Sequence, residues 1–325
     1  MTELLKIDNL VTEFSIQKKR VSAVRGVSLQ VRKGKTLVIL GESGSGKSVM
    51  LRSILNLKPA GARISGSIKL GEEELLTKSP KEMEGIRGNR IAMIFQDALS
   101  ALDPLYRVGE QIVETIAAHR KIGKAEAKSQ VAELLGKVGI PSPEERMRAF
   151  PHEMSGGMRQ RAVIAMALAC KPDLLLADEP TTALDVTIQA QILRLFKEIQ
   201  AEYGMSIVLV THDIGVAAEM ADDIAVMYAG KIVEYGRARQ ILSAPAHPYT
   251  VGLIEATPKR GQKGKLSAIP GQPPLITAMP EGCSFADRCP MARSSCREVT
   301  PAFTHYGEAH IAACYLLEEE QPVAQ

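Results

Sequence analysis

The chain has no tryptophan, and aromatic residues make up only 4% of its 325 positions. A core must therefore be built from aliphatic side chains, which suits layered α/β packing. Long apolar runs are missing as well. No stretch approaches the roughly 18 uninterrupted apolar residues that a bilayer-spanning helix needs. The first residues, Met1-Thr2-Glu3-Leu4-Leu5-Lys6, do not lead a basic segment into an apolar block, so no secretory signal is expected. Nor is there an excess of one charge: Lys+Arg total 40 against 37 Asp+Glu, a net +3. That balance is too even to argue for nucleic acid as a main partner. These absences predict a soluble, cytosolic protein of one large or two modest domains, linked to a membrane only through partners.

What is present begins with Gly41-Glu42-Ser43-Gly44-Ser45-Gly46-Lys47-Ser48, directly after the apolar run Thr36–Leu40. This is the pattern G-x-x-x-x-G-K-S behind a buried strand and ahead of a helix (Lys47 to about Leu57). Glycines keep the backbone thin, so successive N–H groups can turn inward around a polyphosphate at the positive end of the helix. Lys47 is placed to reach the β- and γ-phosphates, and the Ser48 hydroxyl to bind Mg²⁺. The spacing predicts a bound nucleoside triphosphate.

Short β-like runs (Leu4–Leu10, Ala23–Val31) precede this motif, and Gly61 to Gly71 reads as a hairpin. Ile91–Phe95, Asp173–Ala177 and Ser206–Val210 read as further strands. Helical periodicity runs from about Val108 to Gly139, and helices are expected at Arg159–Ala169 and Val186–Tyr203. Such alternation predicts a mainly parallel sheet with helices on both faces. A helical subdomain is expected at about 97–157. From about Ser243 the composition turns to proline, glycine and cysteine, which predicts a loop-rich appendage over 246–325 behind a core of 1–245. The closing Glu318-Glu319-Glu320-Gln321-Pro322 reads as a solvated tail, and there is no internal repeat.

Leu174-Leu175-Leu176-Ala177-Asp178-Glu179-Pro180 is a buried strand ending in two carboxylates. Asp178 suits the Mg²⁺ shell, and Glu179 is placed to polarise an attacking water as a general base. Met154-Ser155-Gly156-Gly157-Met158-Arg159-Gln160-Arg161 resembles the L-S-G-G-Q signature of ABC-transporter ATPases, with Met in place of both Leu and Gln. The resemblance covers residues 4–240. It implies a P-loop NTPase (RecA-like) core of α/β class with an inserted helical subdomain. It also implies that Ser155, Gly156 and Gly157 complete the ATP site of a partner subunit, so catalysis requires a dimer. Gln96 resembles the Q-loop glutamine, which touches Mg²⁺ or the attacking water and senses the permease. Ala183-Leu184-Asp185 resembles the D-loop, and His212 the switch histidine that holds the γ-phosphate and Glu179. The family stacks an aromatic on adenine upstream of the P-loop. No aromatic stands at Lys18–Arg20, and Phe14 is the nearest candidate.

Three further features resemble the ATPase subunits of the dipeptide, oligopeptide and nickel importers: the segment Ala98–Gln111, the run Ala246-His247-Pro248-Tyr249-Thr250, and the C-terminal cysteines. That resemblance implies an ATPase driving solute import from the cytoplasmic face of the membrane. Its partners would be two separate permease chains, a second ATPase subunit in a heterodimer and, indirectly, an extracytoplasmic solute-binding protein. Nickel or another small solute is the alternative cargo, and a non-transport ABC ATPase of DNA repair or translation the distant one. His247 reads as a turn and packing element. Of five cysteines, Cys170 reads as a packed apolar residue. Cys283, Cys289, Cys296 and Cys314 crowd the end of the chain, where a reducing cytosol favours metal binding over disulfides. Thiolate-only ligation with a proline after one ligand is compatible with a [4Fe–4S] cluster, which the family resemblance favours. Zn²⁺, free thiols and disulfides are the alternatives.

Overall fold

Runs of β-branched and leucine side chains between polar breaks make the strands. In chain order these are β1 (Glu3–Ile16), β2 (Lys19–Arg32), β3 (Thr36–Leu40), β4 (Arg63–Leu70), β5 (Glu73–Glu74) and β6 (Ile91–Ile94). They continue with β7 (Leu174–Asp178), β8 (Ser206–Thr211), β9 (Asp223–Tyr228), β10 (Lys231–Arg237), β11 (Thr304–Gly307) and β12 (His310–Ala312). The computed structural model describes residues 2–16, 19–59, 61–97, 101–182, 184–257 and 268–317. Lys18, Ala98–Ser100, Ala183 and the tail expected at Glu318–Pro322 lie outside the described residues. Among the described residues no helix is long and apolar enough to cross a membrane.

The chain packs into two units. The first comprises Met1–Thr2, Arg32–Lys35 and Thr77–Leu209. Its strands stand in the order β8-β7-β6, with β6 parallel to β7 and Ile94 opposite Ala177. All five positions of β7 are buried, as expected of a parallel strand covered on both faces. Around it stand the helices Val108–His119, Lys124–Lys137, Gly156–Leu168 and Val186–Tyr203. The long helical pattern from Val108 is in fact two helices, because Arg120 leaves the first in an extended conformation and Gly123 caps the second. Their buried faces carry Val108, Ile112 and Ile116 on one and Val131, Leu134 and Leu135 on the other. Each such side chain contributes about 1.5–3 kcal/mol of burial.

The second unit comprises Glu3–Val31, Thr36–Leu76 and Val210–Gln325. One sheet runs β2-β1-β4-β5, and a second set of strands runs β11-β12-β10-β9-β3. The segment read as a hairpin from Gly61 is instead the single strand β4, whose main partner is β1, with Leu5 opposite Leu70 and Ile7 opposite Ile68. Periodicity identifies a strand but not the strand it pairs with. The P-loop helix is shorter than expected, Lys47–Ile54, because Asn56 turns into the left-handed region at φ 50°. Here β3 is parallel to β9, with Val38 opposite Ile224. The C-terminal strand β12 lies antiparallel on β10, with Glu234 opposite Ala312.

Candidate active site

Strand β3, buried at every position, delivers the chain into residues 41–48. Gly46 caps the following helix at φ 101°, and a Cβ there would lie 2.5 Å from the carbonyl oxygen of Ala23. A Cβ on Gly41 would lie 2.2 Å from the carbonyl oxygen of Met227. Close backbone approach, not only flexibility, demands glycine at both positions. Lys47 is 4% exposed. Its ammonium donates to the carbonyls of Gly41 (2.7 Å) and Glu42 (2.8 Å) and to Ser45 Oγ (3.4 Å). Ser43 and Gly44 are exposed, Ser45 is buried and Ser48 half-buried. The loop thus presents a helix start and an ammonium that can exchange loop carbonyls for phosphate oxygens.

Glu42 faces residues far along the chain. Arg288 Nη1 donates to Glu42 Oε2 (2.6 Å) and Nη2 to Oε1 (2.9 Å), and the backbone N–H of Glu42 donates to the Tyr249 hydroxyl at 2.8 Å. Hydrogen bonding to Glu42 pushes the Arg288 guanidinium pKa further up, and burial raises that of the Tyr249 hydroxyl. Tyr228, Tyr249 and Phe285 pack with ring centroids 4.6–5.3 Å apart.

In the first unit, β7 ends on Asp178, which is fully buried. Glu179 follows in the left-handed region at φ 48°, a conformation that costs a non-glycine residue about 1–3 kcal/mol and gathers at functional sites. The parallel pairing of β6 with β7 places the residues just past each strand side by side. Gln96 Nε2 therefore donates to Glu179 Oε2 at 3.3 Å, and Thr182 Oγ1 donates to the same oxygen at 2.9 Å. Ser155 caps the helix Gly156–Leu168, its Oγ accepting from Met158 N–H at 3.2 Å. Gly156 and Gly157 are half-buried beside it. Met154, 4% exposed, fills a buried position as leucine would. Asp185 caps the helix Val186–Tyr203 by accepting from Ile188 N–H at 2.9 Å. Gln160 was not singled out by its motif, yet it is buried and donates to the Pro180 carbonyl at 2.7 Å, beside Glu179. Its signal was a lone amide among Ala162, Val163, Ile164 and Ala165 on a buried face.

His212, in the second unit, is exposed past β8, and Asp213 caps the next helix by accepting from the N–H groups of Gly215 and Val216. Phe14 is half-buried on β1, and Arg20 makes an exposed ion pair with Glu13. Ser48 in the second unit, and Asp178 and Gln96 in the first, each carry an oxygen donor of the hard kind that Mg²⁺ takes. When bound, the ion neutralises charge on the phosphate oxygens.

The C-terminal cysteines do converge: Cys283, Cys289, Cys296 and Cys314 line one cavity of about 20 Å³, and none is in a disulfide. The expected [4Fe–4S] cluster is nevertheless not supported. Among the described residues no group of three or more His, Cys, Asp or Glu stands in a metal-holding arrangement. Burial raises the Cys283, Cys289 and Cys314 thiols, the last to about 11. Cys170 is buried. His247 caps the helix Pro248–Glu255, its Nδ1 accepting from Tyr249 N–H at 3.1 Å, and burial pushes its pKa down to about 4. Buried Glu234 accepts from the N–H groups of Ala246 (2.7 Å) and His247 (2.9 Å) and contacts His310 Nε2 (2.7 Å). Residue 247 is thus part of a packed turn.

With this geometry in view, the ABC-transporter family profile matches residues 24–182 and that of the C-terminal region of oligopeptide/dipeptide transporters matches 233–296. The dipeptide transport ATP-binding protein DppD of Bacillus subtilis (strain 168) is 49% identical over 322 residues, spanning 98% of this chain and 96% of that one. The chain belongs to the ATP-binding subunits of the peptide-transporter ABC family. This ABC subunit is also 43% identical over 318 residues to the oligopeptide transport ATP-binding protein OppD of Salmonella typhimurium, spanning 98% of this chain and 95% of that protein. Its fold is similar to a dimeric post-hydrolysis structure of the ATP-binding cassette MJ0796 bound to ADP and Pi. There the TM-score is 0.65 with 28% identity, over 72% of this chain and 99% of that one. The ABC subunit is an ATPase of α/β P-loop architecture.

Proposed function

We propose that this ATPase energises an importer for dipeptides or oligopeptides. The reading is carried by the pairing, in one chain, of the ATPase cassette with the transporter-type C-terminal region, and supported by relatives named for peptide transport. The cassette is assigned to residues 1–245, with its helical subdomain at about 97–157, and the extension to 246–325. Residues 41–48 cradle the phosphates, Lys47 meeting the β- and γ-groups, with Ser48, Asp178 and Gln96 as Mg²⁺ ligands. Glu179 takes a proton from water as the water's oxygen attacks the γ-phosphorus and the bond to the β-phosphate oxygen breaks. His212 holds the γ-phosphate. Ser155, Gly156, Gly157 and Asp185 complete the site of a second ATPase subunit, in a heterodimer.

Two permease subunits span the membrane beside this chain on its cytoplasmic face, and a solute-binding protein hands them the cargo. For the four thiols, the finer reading of a [4Fe–4S] cluster or zinc rests on cysteine spacing and their shared cavity alone. Iron, acid-labile sulfide and zinc assays on anaerobically purified protein decide it.

Uptake of labelled dipeptides, longer peptides and nickel in cells lacking this chain tests the cargo, with rescue by wild type and by Glu179→Gln. Loss of peptide uptake restored only by wild type is expected. Loss of nickel uptake alone would move the chain to the metal importers, and no loss at all would remove the support for peptide cargo.

A further inference from the structure

We propose that Arg288 and Tyr249, from the C-terminal extension, are positioning residues of the nucleotide site that fix the P-loop through Glu42. The inference rests on the reading of Gly41–Ser48 as the phosphate loop. It goes beyond that reading by giving the extension a task in ATP binding.

A carboxylate in a loop that must accept a polyphosphate raises the electrostatic cost of binding, because like charges repel strongly where water is scarce. Glu42 occupies that position, at the second residue of the loop. Arg288 cancels its charge with a two-pronged guanidinium–carboxylate contact, the geometry that fixes both direction and distance. The guanidinium is itself held. It is 7% exposed, its Nε donates to the Pro270 carbonyl at 2.8 Å, and its Nη1 reaches the Tyr228 hydroxyl at 3.2 Å. The rings of Tyr228 and Phe285 lie 5.7 and 5.8 Å from it.

Tyr249 acts on the backbone. Its hydroxyl accepts the Glu42 N–H, so this amide points at the extension and the phosphate cradle begins one residue later. A second tie comes from Arg25 of β2, whose Nη1 donates to Ser284 Oγ at 3.0 Å and to the Ala229 carbonyl at 3.2 Å. Residues of the extension, Pro273, Ile276 and Met279, also line a cavity of about 60 Å³ together with Glu42–Ser45. Arg288 directly precedes Cys289 and follows Phe285 by three positions, and both of those line the four-thiol cavity. Any change at the thiols is therefore one peptide bond from the P-loop clamp.

The test is equilibrium binding of Mg–ATP to the purified full-length chain by calorimetry, with the melting temperature recorded in parallel. Arg288→Met keeps bulk and removes the charge. ATP affinity is expected to fall about tenfold, a usual coupling for residues in contact. Adding Glu42→Gln to it removes the stranded carboxylate and is expected to recover most of that loss. Tyr249→Phe keeps the ring packing and removes one acceptor, for an expected loss of about fivefold. A merely structural role would lower the melting temperature of Arg288→Met without moving ATP affinity in either single variant, and that result overturns the proposal. Failure of Glu42→Gln to restore affinity overturns the charge-compensation argument. Should Arg288→Met not fold, Tyr249→Phe decides alone. Lys47→Ala separates the premises: if it binds ATP like wild type, residues 41–48 are not the phosphate loop, whatever the clamp variants do.

Discussion

Lys47 is 4% exposed and its ammonium rests on carbonyls of its own loop, whereas Gln96 is exposed and meets Glu179 across 3.3 Å. The loop around Lys47 is fixed on several sides, by Ala23 and Met227 against its glycines and by Arg288 and Tyr249 on Glu42. Glu179 instead sits half-buried at a strained φ of 48°. The phosphate-binding region is pre-organised, which lowers the ordering cost of taking a charged ligand. The segment around Glu179 stores backbone strain and is open to solvent at Gln96. Binding and hydrolysis, the roles proposed for the two regions, are therefore expected to be separable.

That contrast breaks most directly at Glu179→Gln. ATP hydrolysis is expected to fall by about 10²–10⁴-fold, the usual worth of a general base, while ATP affinity measured by calorimetry stays within about twofold. Loss of affinity alongside the rate would show that the two regions are one.

The next largest effect lies in the clamped region and depends on pH. Burial lowers the folded pKa of His247 from 6.5 to about 4. The unfolded chain therefore takes up the proton first as pH drops. The stabilisation is fully present above pH ~6.5 and is lost as pH falls toward ~4, by about 3 kcal/mol. Denaturant titrations between pH 7 and pH 4 check it. His247→Asn, which keeps a capping oxygen, is expected to flatten the slope. An unchanged slope would place the titration elsewhere.

Gln160→Ala sharpens the comparison from the hydrolytic side. It strands the Pro180 carbonyl, and a buried unsatisfied group costs about 1–3 kcal/mol. Thermal melts should show that loss, with ATP hydrolysis reduced because Pro180 follows Glu179. The smallest effect is expected at Met158→Gln. Met158 is half-buried at the first turn of its helix, so the change should stay within about 0.5 kcal/mol in stability and about twofold in ATPase rate. A larger gain would mean that Met158 limits the signature segment.

Much of the site was legible because its parts are local. Ser155, Asp185 and Asp213 each cap a helix two or three residues away, and such caps depend on neighbours in sequence. The P-loop glycines are readable for the same reason. The meeting of Gln96 with Glu179 was not foreseen, since it depends on the register of β6 on β7. The strand β4 looked like a hairpin because its partner, β1, lies far back in the chain. The cysteine spacing led to an expected metal cluster; the four thiols do share a cavity, but among the described residues they form no metal-holding group.

The sequence by itself determined the nucleotide loop, the carboxylate pair Asp178-Glu179 and the helix starts, because backbone geometry and side-chain capping act over a few residues. Only the tertiary structure decided that Glu42 is neutralised by Arg288, 246 positions away. No local pattern encodes such a pairing. It exists because the extension folds into the same unit as the P-loop and brings a buried guanidinium against the half-buried carboxylate of Glu42.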